Sequence, residues 1–135
     1  MKTTSILHYG TLATDTIGGL LFAIGALQHG NDINVFLGLL LALVVIYPEL
    51  RQPDSHFALA ALGVLVMGIS HVVIGTTTTL NAWNASWAAA ATMGFLILGY
   101  AFLDYRYPGD IKRHMIALVV ACFIAVGLFV AAVQW

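Results

Sequence analysis

The feature that constrains this chain most is the length of its unbroken apolar runs. Stretches such as "LGLLLALVVI" (37–46) and "AAAATMGFLILG" (88–99) carry no ionisable residue and no alternation of polar with apolar positions. A strand of a membrane barrel alternates along its length, so these runs do not read as strands. A helix satisfies its own backbone hydrogen bonds, as hydrocarbon requires. Charged residues make up 8% of the 135, where a soluble domain carries about 25%. A surface so poor in charge cannot be wetted. The expectation is an all-α, polytopic transmembrane bundle forming one integral membrane domain over residues 1–135.

A helix rises about 1.5 Å per residue and the hydrocarbon layer is about 30 Å thick, so a span needs roughly 20 residues. Five segments qualify or nearly so: 6–27, 33–50, 57–75, 86–103 and 115–135. The second is short and must borrow Pro48–Leu50. Asp15 interrupts the first. It also breaks what would be the apolar middle of a signal peptide, and no small-residue cleavage site follows, so the segment reads as retained. The alternative architecture has four spans and an N-terminal helix along the interface, with Thr14-Asp15-Thr16 capping a later helix start.

Charge sets the orientation. With five spans, Lys2, Arg51, Arg106, Lys112 and Arg113, all of the Lys and Arg of the chain, fall on one side. Basic residues are retained in the cytoplasm, which predicts a cytoplasmic N-terminus and a C-terminus on the outer side. Tyr9, Tyr47, Tyr105 and Tyr107 collect at the inner boundary, and Trp83, Trp87 and Trp135 at the outer one. A faint repeat accompanies this. Tyr47-Pro48 precedes a polar turn and His56, and Tyr107-Pro108 precedes a polar turn and His114.

Two ionisable residues fall deep in the apolar segments. A carboxylate at the depth of Asp15 costs at least about 3 kcal/mol on insertion scales, so it must face the bundle and pair or stay protonated. Gly18, Gly19, Phe22, Gly25 and Ala26 share its helical face, a small-residue packing surface. His71 shares a face with Gly68 and Gly75, and with Ala61 and Val64 below them, which lets a helix backbone or a flat ring approach closely. Ala90 and Gly94 extend the small-residue pattern to the fourth segment. His71 has three readings: a hydrogen bond across an interface, a proton relay, or a haem ligand.

The haem reading has a local resemblance behind it. Ser5-Ile6-Leu7-His8 and His71-Val72-Val73-Ile74-Gly75 resemble pieces of the cytochrome b anchor subunits of succinate dehydrogenase, over less than a tenth of the chain. Tyr9 stands where that family has its quinone-site arginine. The resemblance implies a haem b-binding membrane anchor of a respiratory complex, with His71 as a ligand.

His8, His56 and His114 open segments one, three and five at one level. Three imidazoles there suggest a metal site, but no His-x-x-x-His spacing or cysteine pair supports one, so no metal is expected. Cys122 is alone, so there is no disulfide framework and no paired-thiol metal site. A net charge of −1 without a basic run excludes a nucleic-acid partner. Turns of about ten residues leave no room for a soluble catalytic domain, so no enzyme, catalytic residue or cofactor is expected. The leading expectation is a small accessory or scaffold subunit of a larger membrane complex, or a self-associating membrane protein. Its partners are lipid, other subunits or its own copies. The alternative is a proton- or small-solute-conducting protein that uses Asp15 and His71, at depths about 6 Å apart by helical rise.

Overall fold

The computed structural model describes residues 3–28, 30, 32–75 and 82–134. It is all-helical, with no strand among the described residues. In chain order the helices are α1 (Thr3–Gln28), α2 (Asp32–Arg51), α3 (Ser55–Gly75), α4 (Ala82–Arg106) and α5 (Ile111–Gln134). Three of them, over Ser5–Gln28, Asp32–Arg51 and Ser55–Val73, are long and apolar enough to cross a membrane. Lys2, Trp135 and the side chain of Trp83, on which the sequence-based orientation draws, lie outside what is described.

α1 is a single helix from Thr3 to Gln28, so Asp15 sits in its middle and caps nothing. The interfacial-helix alternative, which needed a helix start at Thr14–Thr16, is corrected on that point. α2 does extend through Pro48 to Arg51. Proline here costs one backbone bond, and the last turn closes because Gln52 N–H donates to the Pro48 carbonyl. Pro108, by contrast, lies beyond the end of α4, so the two halves of the faint repeat differ locally.

The turns at one end use familiar chemistry. Asp54 caps α3, accepting from His56 N–H at 2.8 Å, and Asp110 caps α5, accepting from Arg113 N–H at 3.2 Å. The turn before Asp110 needs a left-handed residue, supplied by Gly109 at φ 74°.

α3 is the centre of the bundle. It packs on α1 along one side and on α4 along the other; α2 leans mainly on α1, and α5 on α4. Phe57, Ala60, Ala61 and Val64 of α3 meet Phe22, Leu41, Val45, Leu98 and Ala101 in one apolar core. The helices come so close because glycines lie where they cross. A Cβ on Gly68 would strike the Gly18 carbonyl oxygen, and one on Gly18 would stand 2.7 Å from the Leu65 backbone. Gly63 and Gly94 oppose each other in the same way, each Cβ 2.6 Å from the other's carbonyl oxygen. Between α1 and α2, Gly19 faces Ala42 and the Gly38 carbonyl.

The outward faces are apolar. Ile33, Phe36, Leu40 and Leu43 of α2 are exposed, as are Met115, Ile116, Val119 and Phe123 of α5. Exposed large apolar patches of this extent mark a lipid or protein contact surface.

Candidate functional site

Four polar residues are buried among the described residues: Thr11, Asp15, Glu49 and Ser70. Ser70 is locally satisfied, its hydroxyl donating to the Val66 carbonyl at 2.7 Å. The other three lie on α1 and α2, Thr11 and Glu49 toward the end that carries Arg51, Arg106, Lys112 and Arg113 and Asp15 midway along α1.

His8, Thr11 and Asp15 follow at spacings of three and four, so they share one face of α1. At the bottom of this column His8 Nδ1 donates to Glu49 Oε1 at 2.9 Å. The Glu49 side chain is only 2% exposed, that of His8 23%. Asp54 N–H reaches the other Glu49 oxygen at 3.3 Å. One turn above His8, the Thr11 hydroxyl donates to the Leu7 carbonyl at 2.7 Å. One turn higher, Asp15 is fully buried, and neither of its carboxyl oxygens has a hydrogen-bond partner among the described residues.

The close contacts fix what lies level with Asp15. Gly18 faces Val64 and Leu65, and Gly19 faces Gly38 and Ala42. One turn below, the register puts Asp15 level with Ala61 of α3 and Val45 of α2, both fully buried. A carboxylate there has apolar walls and no counter-charge, a costly arrangement.

A cavity of about 150 Å³ opens at the foot of the column, lined by Leu7, His8, Glu49, Pro53, Asp54 and Ser55. Beside it runs a chain of alternating carboxylates and imidazoles. His56 Nδ1 lies 2.6 Å from Asp54 Oδ1, and its Nε2 lies 2.8 Å from Asp104 Oδ2. Both nitrogens face acceptors, and only the doubly protonated ring donates to both. His114 Nε2 lies 3.8 Å from the other Asp104 oxygen. The backbone N–H of His56 holds the Asp54 carboxyl below the usual carboxylate range, with further help from the His56 ring and against the opposing effect of burial.

The residues singled out in the sequence are therefore dispersed. His71 lies at the other end of the α1–α3 contact, where a Cβ on Gly25 would meet its backbone. Its ring stacks on Phe22, centroids 4.2 Å apart and planes within 5°. From Asp15 to Phe22 and Gly25 is seven to ten residues of α1, roughly 10–15 Å at the helical rise. The expected 6 Å offset is too small because α1 and α3 run parallel in a register that lifts His71 well above Asp15. Gly18, Gly19, Gly25, Gly68 and Gly94 all stand at close backbone crossings. Ala90 is half-buried, and Gly75 ends α3.

Sequence reasoning missed Glu49, Asp54 and Asp104 as partners of the three histidines, and Gly38 and Gly63 as packing positions. The Gly38-x-x-x-Ala42 spacing was the available signal for the former glycine. Among the described residues no group of His, Cys, Asp and Glu is arranged to hold a metal ion. Comparison with family models, with curated proteins and with solved structures finds no match to this chain.

Proposed function

We propose that this chain is a five-span integral membrane protein with its basic end in the cytoplasm, and that it works as a small accessory or scaffold subunit of a membrane assembly. The observation that carries this reading is the way the interior is closed. At Gly18–Gly68, Gly25–His71 and Gly63–Gly94 helix backbones touch, which closes these crossings to a polar path. Conducting proteins display polar groups along a route and break helices near its middle; here α1 and α3 run unbroken. α4 and α5, at 25 and 24 residues, are long enough to join the other three as spans. Arg51, Arg106, Lys112 and Arg113 lie at one end of the bundle, which supports the orientation.

Transport through Asp15 and His71 has less support, because the register separates them and α1–α3 backbone contact lies between. Haem ligation by His71 has less support as well, because the flat surface against its ring is Phe22.

Extraction of native membranes in mild detergent tests the proposal. An accessory subunit leaves as a defined species well above 14.4 kDa, with fixed stoichiometry, and the isolated chain passes no ions in liposomes. A monomer that carries a flux abolished by Asp15→Asn and His71→Ala overturns the reading.

A further inference from the structure

The accessory reading has no use for Asp15. The carboxyl is fully buried, makes no hydrogen bond among the described residues, and lies level with Val45 and Ala61, which are themselves fully buried. Burial of an uncompensated charge in such a place is heavily penalised. Asn or Ser would pack there without that cost, so the carboxyl needs a reason to be present. Among the described residues no group of His, Cys, Asp and Glu is arranged to hold a metal ion beside it, and no cationic side chain of α1, α2 or α3 stands at its level. The one ligand that balances a carboxylate and needs no room is a proton.

The surroundings also say from which side a proton arrives. Toward the basic end, Thr11 stands one turn from Asp15, His8 one turn further, and the His8–Glu49 pair borders the open cavity beside Asp54. Toward the other end the next turn of α1 brings Gly18, pressed against the Gly68 region of α3 without space for even a methyl group. Every titratable group of the elements packed on Asp15 can be placed. On α2 these are Glu49, Tyr47 and Arg51 toward the basic end and Asp32 at the far end. On α3 they are His56 toward the basic end and His71 beyond the glycine contact. None lies level with Asp15.

We propose that Asp15 is an internal proton-exchange site, loaded and emptied only from the basic end through Thr11 and the His8–Glu49 pair, and closed on its other side by the Gly18–Gly68 contact. Loading adds one proton from water to a carboxylate oxygen, and emptying returns it; no electrons move. The Thr11 hydroxyl, now turned to the Leu7 carbonyl, stands between the two levels and can rotate to bridge them. This is a dead-end site and not a conducting path, and it stands whether or not the chain is an accessory subunit.

Infrared difference spectroscopy of the full chain in lipid nanodiscs tests it. The expected result is a carboxylic-acid C=O band that moves when aspartate is labelled with ¹³C at its carboxyl, and that is absent in Asp15→Asn. Because Glu49 is the chain's one glutamate, the label separates the two buried acids even if Asp15→Asn fails to fold. Transfer to D₂O shifts the band, and in Glu49→Gln and in Thr11→Val that shift slows by roughly tenfold, about 1.4 kcal/mol on the exchange barrier. A label-insensitive band, or no band, overturns the site. A normal exchange rate in both variants overturns the route.

Discussion

The two faces of α3 are built by the same device and hold different contents. Toward α4 the glycine pair Gly63–Gly94 draws the backbones together, and the contact around it is Met67, Leu98 and Ala101. Toward α1 the contact at Gly18–Gly68 is at least as tight, yet α1 also buries Thr11 and Asp15, and His71 of α3 meets Gly25. Among the described residues, the α3–α4 side meets ionisable groups at its edge, where His56 reaches Asp104. Close packing alone therefore does not call for polar residues. Those on the α1 side need their own explanation, and the proton site is ours.

The largest effects are expected where a methyl group would meet backbone. Gly68→Ala and Gly63→Ala should each lose about 3 kcal/mol, the upper part of the overpacking range, because a carbonyl cannot yield as a side chain can. Gly10→Ala and Gly99→Ala meet nothing and should gain up to about 1 kcal/mol of helix propensity. Denaturation in mixed micelles measures all four. If Gly63→Ala is harmless while Gly68→Ala is not, the two faces differ in packing as well as in content.

Next comes Glu49→Gln. It leaves His8 without its charged acceptor in a buried place and should cost about 2 kcal/mol, the range of hydrogen bonds to charged groups. Glu49→Ala should cost more. A variant as stable as the parent breaks the link between the column and the bundle.

Leucine at the two deep polar positions sharpens the comparison. His71→Leu forfeits the stack on Phe22 and should cost about 1 kcal/mol, and Asp15→Leu should cost at least as much by overpacking. Val44→Leu, on the exposed face of α2, should stay within about 0.5 kcal/mol of the parent. Equal behaviour of all three would place Asp15 and His71 on the outside.

Acid should act through Asp54. Its carboxyl is held below the usual carboxylate range, so its contribution to stability is complete above the unfolded value near 3.9 and is lost as pH falls through the lower folded value. Asp54→Asn keeps a capping side chain and should flatten that part of the stability–pH curve below about pH 4. The smallest effect belongs to the exposed Asp110–Arg113 pair, where Arg113→Ala should change stability by about 0.5 kcal/mol or less.

Apolar runs and turn residues made the five helices legible almost to their ends, because a long apolar helix is a local, length-limited object. Gly18, Gly19 and Gly68 were legible as packing positions by spacing alone. The carboxylate partners were not. Glu49 sits in "PELRQPDSH", which reads as a polar turn, and its imidazole is 41 positions away; Asp104 meets His56 across 48. Such pairings depend on how helices are juxtaposed, which no local pattern encodes. The separation of Asp15 from His71 was hidden for the same reason, since depth along a helix says nothing about register between helices.

The proposed site at Asp15 requires α1 to cross the membrane with Asp15 inside it. Labelling with a membrane-impermeant maleimide, in a Cys122→Ala background with single cysteines at Lys2, Asp32, Gln52 and Pro108, tests this most directly. Lys2, Gln52 and Pro108 should react from one side of sealed vesicles and Asp32 from the other. Reaction of Lys2 and Asp32 from the same side would contradict a spanning α1, and with it the internal site at Asp15.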